Sequence, residues 1–403
     1  MTVDPPLRLL WLTENYPPDR GGMAQSCDRI VRSLRRRGIW IDLVHFTRRQ
    51  SEWQVEANEG GSCMTCPISE DPATLMNRLW AVLRTQENGT LPATLVAFGG
   101  FLPMLGAPVI AAWLRKPLLT LIRGNDFDAS VFSPRRREIL RYAVESSSLV
   151  SCVTRDQVRR LQALFPRVTP EWIPNGIELE SWQLTDGDRR CGAEWRDAHV
   201  PPGRRLLGLF GHLKQKKGAT FFLDQIRRSG RADRFHLLLS GDAEPPVHEW
   251  LERHGAEISF SLLPFMDRYE LLPFYSACDL VALPSFYDGL PNVLLEAASL
   301  GIPILASNAG GMADLLVDGA NAIVFDAADT TDCRRALEIA ATIPPGELEG
   351  LASEARRRVT EELTAELEAT RYLRLLGVEE SATGAPHPFI HEQGVQTTPG
   401  EKR

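Results

Sequence analysis

Two doubly wound α/β domains facing a cleft are what this 403-residue sequence predicts. Three observations carry the expectation. Short β-branched or leucine-rich runs alternate with helical stretches, which implies parallel sheets covered by helices on both faces. The alternation comes in two consecutive series. With 43% hydrophobic and 24% charged residues over this length, the chain has the composition of a soluble protein with two separate cores.

In the first series, strands are expected at 7–13, 41–46, 94–98, 118–122 and 149–153, with helices at 24–37, 72–86, 102–114, 134–146 and 155–164. The second series places strands at 206–210, 236–239, 280–283, 302–306 and 322–325. Residues 1–180 therefore form an N-terminal domain and 205–350 a C-terminal one, joined by a polar, tryptophan-containing linker at 181–204. The chain is helical from 329 to 376, and the terminal helices of 351–380 are expected to pack back on the first domain. A Pro-, Gly-, Thr- and Gln-rich tail at 381–403 reads as disordered. Residues 91–114 carry no charge and are long enough to span a bilayer. Pro92, Gly99, Gly100, Pro103, Gly106 and Pro108 divide them into a buried strand and helix instead. Asp4 and the short apolar run after it do not fit a signal peptide.

The net charge of −7 argues against nucleic acid as a partner. It is unevenly distributed: residues 1–180 carry 22 Lys/Arg against 19 Asp/Glu, the remainder 23 against 33. The triplets Arg35–Arg37 and Arg135–Arg137 are solvated helix faces or a peripheral contact with an anionic membrane. Seven cysteines, mostly in apolar stretches, suit a reducing, cytoplasmic setting. Cys63 and Cys66 have no second pair or nearby histidines, so zinc is not expected.

The chemistry concentrates between Asp288 and Glu296. The strand at 280–283 runs through Gly289 and Leu290 into a helix that Pro291 can begin and Gly301 can end. The first amides of that helix, on Asn292 and Val293, point outward and favour an anion. Glu296, one turn deeper on the face of Asn292, is placed to accept hydrogen bonds from a ribose. Asp288 faces whatever lies beyond the phosphates. The strand at 206–210 leads into Gly211-His212-Leu213-Lys214-Gln215-Lys216-Lys217-Gly218, a glycine loop whose lysines can neutralise a diphosphate. The first strand instead enters a proline loop, Thr13 to Gly22, without the Gly-x-Gly-x-x-Gly of a NAD site. No Walker sequence occurs either, so dinucleotide oxidoreduction and NTP hydrolysis are disfavoured.

Together these segments resemble the retaining glycosyltransferases of family 4. The shared set comprises Tyr16-Pro-Pro with Gly21-Gly22, Arg123-Gly-Asn-Asp126, Ile173-Pro-Asn-Gly176, Gly211 to Gly218, Ser240-Gly-Asp242, the Asp288–Glu296 pair, and Gly310-Gly311 with Asp314. The resemblance reaches to about residue 376. It implies the GT-B fold, with terminal helices crossing back, and transfer from a nucleotide-diphosphate sugar to a glycan, lipid-linked or small-molecule acceptor with retention. It implies that Glu296 grips the ribose, Asp288 meets the donor sugar, Lys217 and His212 bind the diphosphate, and Gly22 approaches the same phosphates. Asp126 and Asn175 fall on the acceptor side. Three positions depart from the family pattern. Asp288 stands where Glu is usual, His212 where Arg is usual, and Arg123 where a donor-side His is usual. Arg123 cannot be a general base; it is expected either to clamp a phosphate or anionic sugar as a catalytic residue, or to be held structurally by Asp126 and Asp128. No cofactor is implied, and no Asp-x-Asp or histidine cluster suggests a metal. A sugar-nucleotide epimerase or hydrolase on the same fold, or a non-catalytic nucleotide-sugar-binding partner subunit, are the alternatives.

Overall fold

The computed structural model describes residues 6–68, 71–85 and 91–378, so the expected tail at 381–403 lies outside the described residues. The first domain is built on eight strands: β1 (Arg8–Thr13), β2 (Trp40–Thr47), β3 (Gln54–Asn58), β4 (Gly61–Pro67), β5 (Thr94–Phe98), β6 (Leu118–Ile122), β7 (Leu149–Cys152) and β8 (Glu171–Trp172). Their spatial order is β3-β4-β2-β1-β5-β6-β7-β8. All pair in parallel except β3 with β4. The second sheet is wholly parallel: β9 (Arg205–Phe210), β10 (Phe235–Ser240), β11 (Phe260–Leu263), β12 (Leu280–Leu283), β13 (Ile304–Ser307) and β14 (Ile323–Phe325), in the order β11-β10-β9-β12-β13-β14. In each sheet the order reverses beside a central strand, β1 or β9. The loops leaving β1, β9 and β12 therefore border the crevices where such sheets bind ligands.

The central strands are the apolar runs that the sequence marks, buried on both faces. Strands β3, β4, β8 and β11 are additional. The β3 side chains are all exposed and β4 is rich in Ser, Thr and Cys, so neither carries a strand-like hydrophobic pattern. The uncharged segment 91–114 is divided as expected into β5 and the helix Phe101–Leu114. Among the described residues, no helix is long and apolar enough to cross a membrane.

Two segments behave differently from the sequence reading. The stretch 181–204, expected as a linker, contains the helix Asp186–His199, started by a Thr185–Asp188 capping box. It lies against the helix Arg268–Ala277, with Arg196 bonded to the Ala277 carbonyl at 2.6 Å and to Asp279 at 2.7 Å. The segment 351–380 does not cross back as one unit. The helix Pro345–Glu362 stays on the second domain against Asn292–Leu300, whereas Ala365–Leu375 and the residues up to Val378 pack on the first, the helix against Gly22–Arg35. The turn lies at Leu363–Ala365, which bonds with Ile177 through Ile177 N–H to the Leu363 carbonyl and Ala365 N–H to the Ile177 carbonyl, both at 2.9 Å. A Cβ on Gly176 would lie 2.4 Å from the Thr364 oxygen, so glycine is required where the two crossovers touch.

Candidate active site

The second-domain wall of the cleft is made by two loops laid side by side. Phe286 N–H donates to the Lys216 carbonyl at 2.9 Å. Gly218 (φ +69°) fits beneath them because a Cβ there would meet the Pro284 oxygen at 1.9 Å. The helix Asn292–Leu300 follows, with Pro291 as its N-cap rather than its first turn, and it ends at Gly301 in the left-handed conformation. The Leu294 amide is bonded to the Pro291 carbonyl at 3.2 Å, so the amides of Asn292 and Val293 are left at the open helix end.

Lys217 and Asp288 form an ion pair between the two loops, and Asp288 also accepts Gly289 N–H at 3.0 Å. Glu296 is only 6% exposed, and its carboxylate accepts the Tyr275 hydroxyl at 2.7 Å. Burial pushes its pKa up to about 7, against the hydrogen bond from Tyr275 and the field of Arg29. Burial lowers the pKa of His212, aided by Lys214, so its imidazole is neutral at pH 7 and offers a single N–H.

The first domain closes on this wall. A Cβ added to Gly21 would lie 3.8 Å from His212 Nε2, and one added to Gly22 would lie 3.5 Å from Asn292 Nδ2. Asn292 donates to the Gly22 carbonyl at 3.2 Å and to Gln25 at 3.1 Å. Beyond Asp288, a Cβ on Gly289 would meet the Arg123 oxygen at 2.8 Å. Asp314 accepts the Arg155 amide across the same seam at 2.9 Å.

Arg123 and Asn175 are not in the cleft's open space. The Arg123 guanidinium is buried, donating to the Tyr372 hydroxyl at 2.8 Å, to Glu368 at 3.4 Å and to Asn175 Oδ1. The anchors lie on the crossing helix Ala365–Leu375, which also bonds Arg29 to Glu368 at 2.9 Å. Arg123 is thus held structurally, though not by the aspartates expected. Asp126 accepts its backbone N–H at 3.0 Å, and Asp128 pairs with Arg160 at 2.7 Å. Asn175, expected on the acceptor side, is buried and donates to the Leu290 carbonyl at 2.6 Å. It ties the Arg123 cluster to the donor loop. Asp126 lines a first-domain pocket of about 210 Å³, and burial pushes its pKa up to about 6. The triplet Arg35–Arg37 is partly structural: Arg35 bonds the Ile41 and Ser62 carbonyls and Arg37 the Glu366 carbonyl.

Two family models match the chain, one described as Glycosyltransferase Family 4 over residues 20–181 and one as Glycosyl transferases group 1 over residues 204–341. The chain belongs to this family. It is a glycosyltransferase with the GT-B fold. The alpha-maltose-1-phosphate synthase of Mycobacterium tuberculosis is 25% identical over 81% of this chain and 86% of its own. The alpha-D-kanosaminyltransferase of Streptomyces kanamyceticus is 27% identical, a match spanning about half of that relative (52%) and 49% of this chain. Among solved structures, an Anabaena protein in complex with UDP and glucose superposes with a TM-score of 0.74 at 17% identity, covering 92% of this chain and 99% of the other.

Several residues that border this candidate site carry no local signal. Tyr275 lies on a helix that passes under Glu296, and only the packing of two helices brings them together. Glu368 and Tyr372 lie about 190 residues or more from their partners in the cleft. Glu14 follows β1 in the proline loop, and the amides it accepts belong to a helix 87 residues away.

Proposed function

We propose that this glycosyltransferase moves a sugar from a nucleotide-diphosphate sugar, with a UDP or GDP carrier, to a hydroxyl acceptor with retention of anomeric configuration. The observation that supports it most is the Lys217–Asp288 pair, which joins the glycine loop to the loop leading into the open end of the helix Asn292–Leu300. An arriving diphosphate competes with Asp288 for Lys217 and accepts the amides of Asn292 and Val293. These donors stabilise the charge that grows as the bond from the anomeric carbon to the phosphate oxygen breaks. No metal is needed in this reading, because Lys217 and the helix end supply the positive field.

Asp288, released from Lys217, is free to accept hydroxyls of the donor sugar. Glu296 accepts the ribose hydroxyls, and His212 contributes one N–H to the phosphates. In this reading no side chain acts as a nucleophile. The acceptor oxygen therefore attacks from the face that the phosphate leaves, and the departing phosphate oxygen takes its proton. Contact of Gly22 with Asn292 closes the cleft over the reacting groups and excludes water.

A thermal-shift screen against UDP-, GDP- and ADP-sugars identifies the carrier as the one giving the largest stabilisation. With that donor, Lys217→Ala and Glu296→Ala are expected to lose transfer. Activity near wild type in both would reject the reading.

A further inference from the structure

The first-domain side of the cleft contains a second helix end, and it is not open. The helix Phe101–Leu114 begins after Gly99-Gly100, both in the left-handed region that glycine favours (φ +46° and +77°). Its first amides would form an anion site. The Glu14 carboxylate fills it, accepting Phe101 N–H at 3.1 Å and Leu102 N–H at 2.8 Å. Glu14 arrives from the loop after β1, and a Cβ on Gly100 would lie 2.7 Å from its Oε2, so the plug leaves no space between carboxylate and backbone.

The plugged end opens on the pocket of about 210 Å³ that Asp126 lines, together with Asn15, Met23, Ser130 and Arg136. That is below the roughly 300–1,000 Å³ of drug-sized sites, with room for one sugar-sized ring. The pocket adjoins the transfer centre: Met23 follows the Gly21-Gly22 loop, and Asp126 belongs to the turn whose Gly124 lies against Gly289. Two carboxylates face it, against one cation, Arg136, exposed on the rim. A phosphate or carboxylate entering would find the helix amides already taken and meet Glu14 and Asp126, while the nearest cations are Arg136 on the exposed rim and Arg123, buried and already paired with Glu368.

We infer that Glu14 is a specificity-determining residue, and that the acceptor group held here is a small polyhydroxylated ring, neutral or amine-bearing, without a phosphate or carboxylate. The inference rests on the transferase reading above. Hydroxyl and ammonium donors match the remaining lone pairs of Glu14 and Asp126, while the apolar ring faces pack on Met23 and Met104.

The test is a titration of the full chain with inorganic phosphate, and separately with myo-inositol 1-phosphate, followed at assigned backbone amides. In wild type, Phe101 and Leu102 are expected to stay unshifted. In Glu14→Ala they are freed, and phosphate is expected to bind there about tenfold more tightly than to wild type. Glu14→Gln, which keeps the side chain's shape, serves if the alanine variant fails to fold. It is expected to move preference toward the phosphorylated probe relative to unphosphorylated myo-inositol. Phosphate or the phosphorylated probe shifting Phe101 and Leu102 in wild type would overturn the inference. So would a folded alanine variant that gains no phosphate affinity, or a glutamine variant with unchanged preference. The donor reading has its own arm: UDP should shift Asn292 and Val293 in all three proteins, and its failure there would count against that reading alone.

Discussion

Two helices point their N-termini at the same cleft, and they are treated in opposite ways. The helix Asn292–Leu300 keeps its first amides open and follows the loop whose Asp288 pairs with Lys217. The helix Phe101–Leu114 has its amides filled by Glu14. The two ends are capped by different backbone, extended at Pro291 and at φ +77° at Gly100, but each attracts negative charge. What differs is where that charge comes from. On the second domain a ligand must bring it, whereas on the first a side chain already has. The contrast separates a wall fit for a diphosphate from one fit for hydroxyls.

The largest effect is expected where the open end loses its cation. Lys217→Ala should lower kcat/KM by about 10²–10³-fold, the loss typical of removing one preorganised donor to a developing charge. Steady-state kinetics with the identified donor would check it. A fall in donor affinity alone, with kcat unchanged, would make Lys217 a binding residue rather than one that acts on the transition state.

Arg123 anchors the first domain to the crossing helix Ala365–Leu375. Arg123→Ala leaves Glu368 buried without one of its cations and frees Tyr372, at an expected cost of about 3–5 kcal/mol. The measurement is a denaturant midpoint. A shift well below that range would show that Arg29 alone satisfies Glu368.

Glu296 provides a pH-dependent test. Its native pKa of about 7 lies above the ordinary carboxylate value, so the native state binds its proton more tightly than the unfolded chain. The resulting stability is complete below about pH 4.5 and is lost as pH rises through about 7, with an upper bound of roughly 3.5 kcal/mol. Glu296→Gln should remove this slope and weaken donor binding. Unfolding curves from pH 4.5 to 8 would show it, and an unchanged slope would place the buried proton elsewhere.

The smallest effect is expected at the seam. Asn292→Ala removes two interdomain hydrogen bonds, to Gly22 and Gln25, but leaves the backbone amides in place. A donor KM increase of a few-fold, roughly 1 kcal/mol, is expected. A loss as large as that of Lys217→Ala would mean that domain closure, rather than the helix end, dominates donor binding.

Much of this arrangement was legible in the chain. Long apolar strands such as 94–98 and 118–122 are buried on both faces, so their composition alone marks them. The helix after Pro291 and its stop at Gly301 follow from local backbone rules, and Glu296 lies one turn inside because helices repeat every 3.6 residues. Motifs confined to one loop, such as Gly211 to Gly218, likewise need no partner to be read.

Tertiary structure decided the rest. Arg123 reads as a cleft residue by its position after β6, but its guanidinium turns to Tyr372 and Glu368, which no short window contains. The helix in the stretch 181–204 starts at a local Thr185–Asp188 capping box, but its place on the second domain depends on Arg196 reaching the Ala277 carbonyl. Glu14 is one more acidic residue in a loop until the helix Phe101–Leu114 presents its amides to it. Local sequence determines which helix ends exist and where they point, because backbone geometry is local. Whether an end is open or plugged depends on a side chain from elsewhere, and only the folded chain brings the two together.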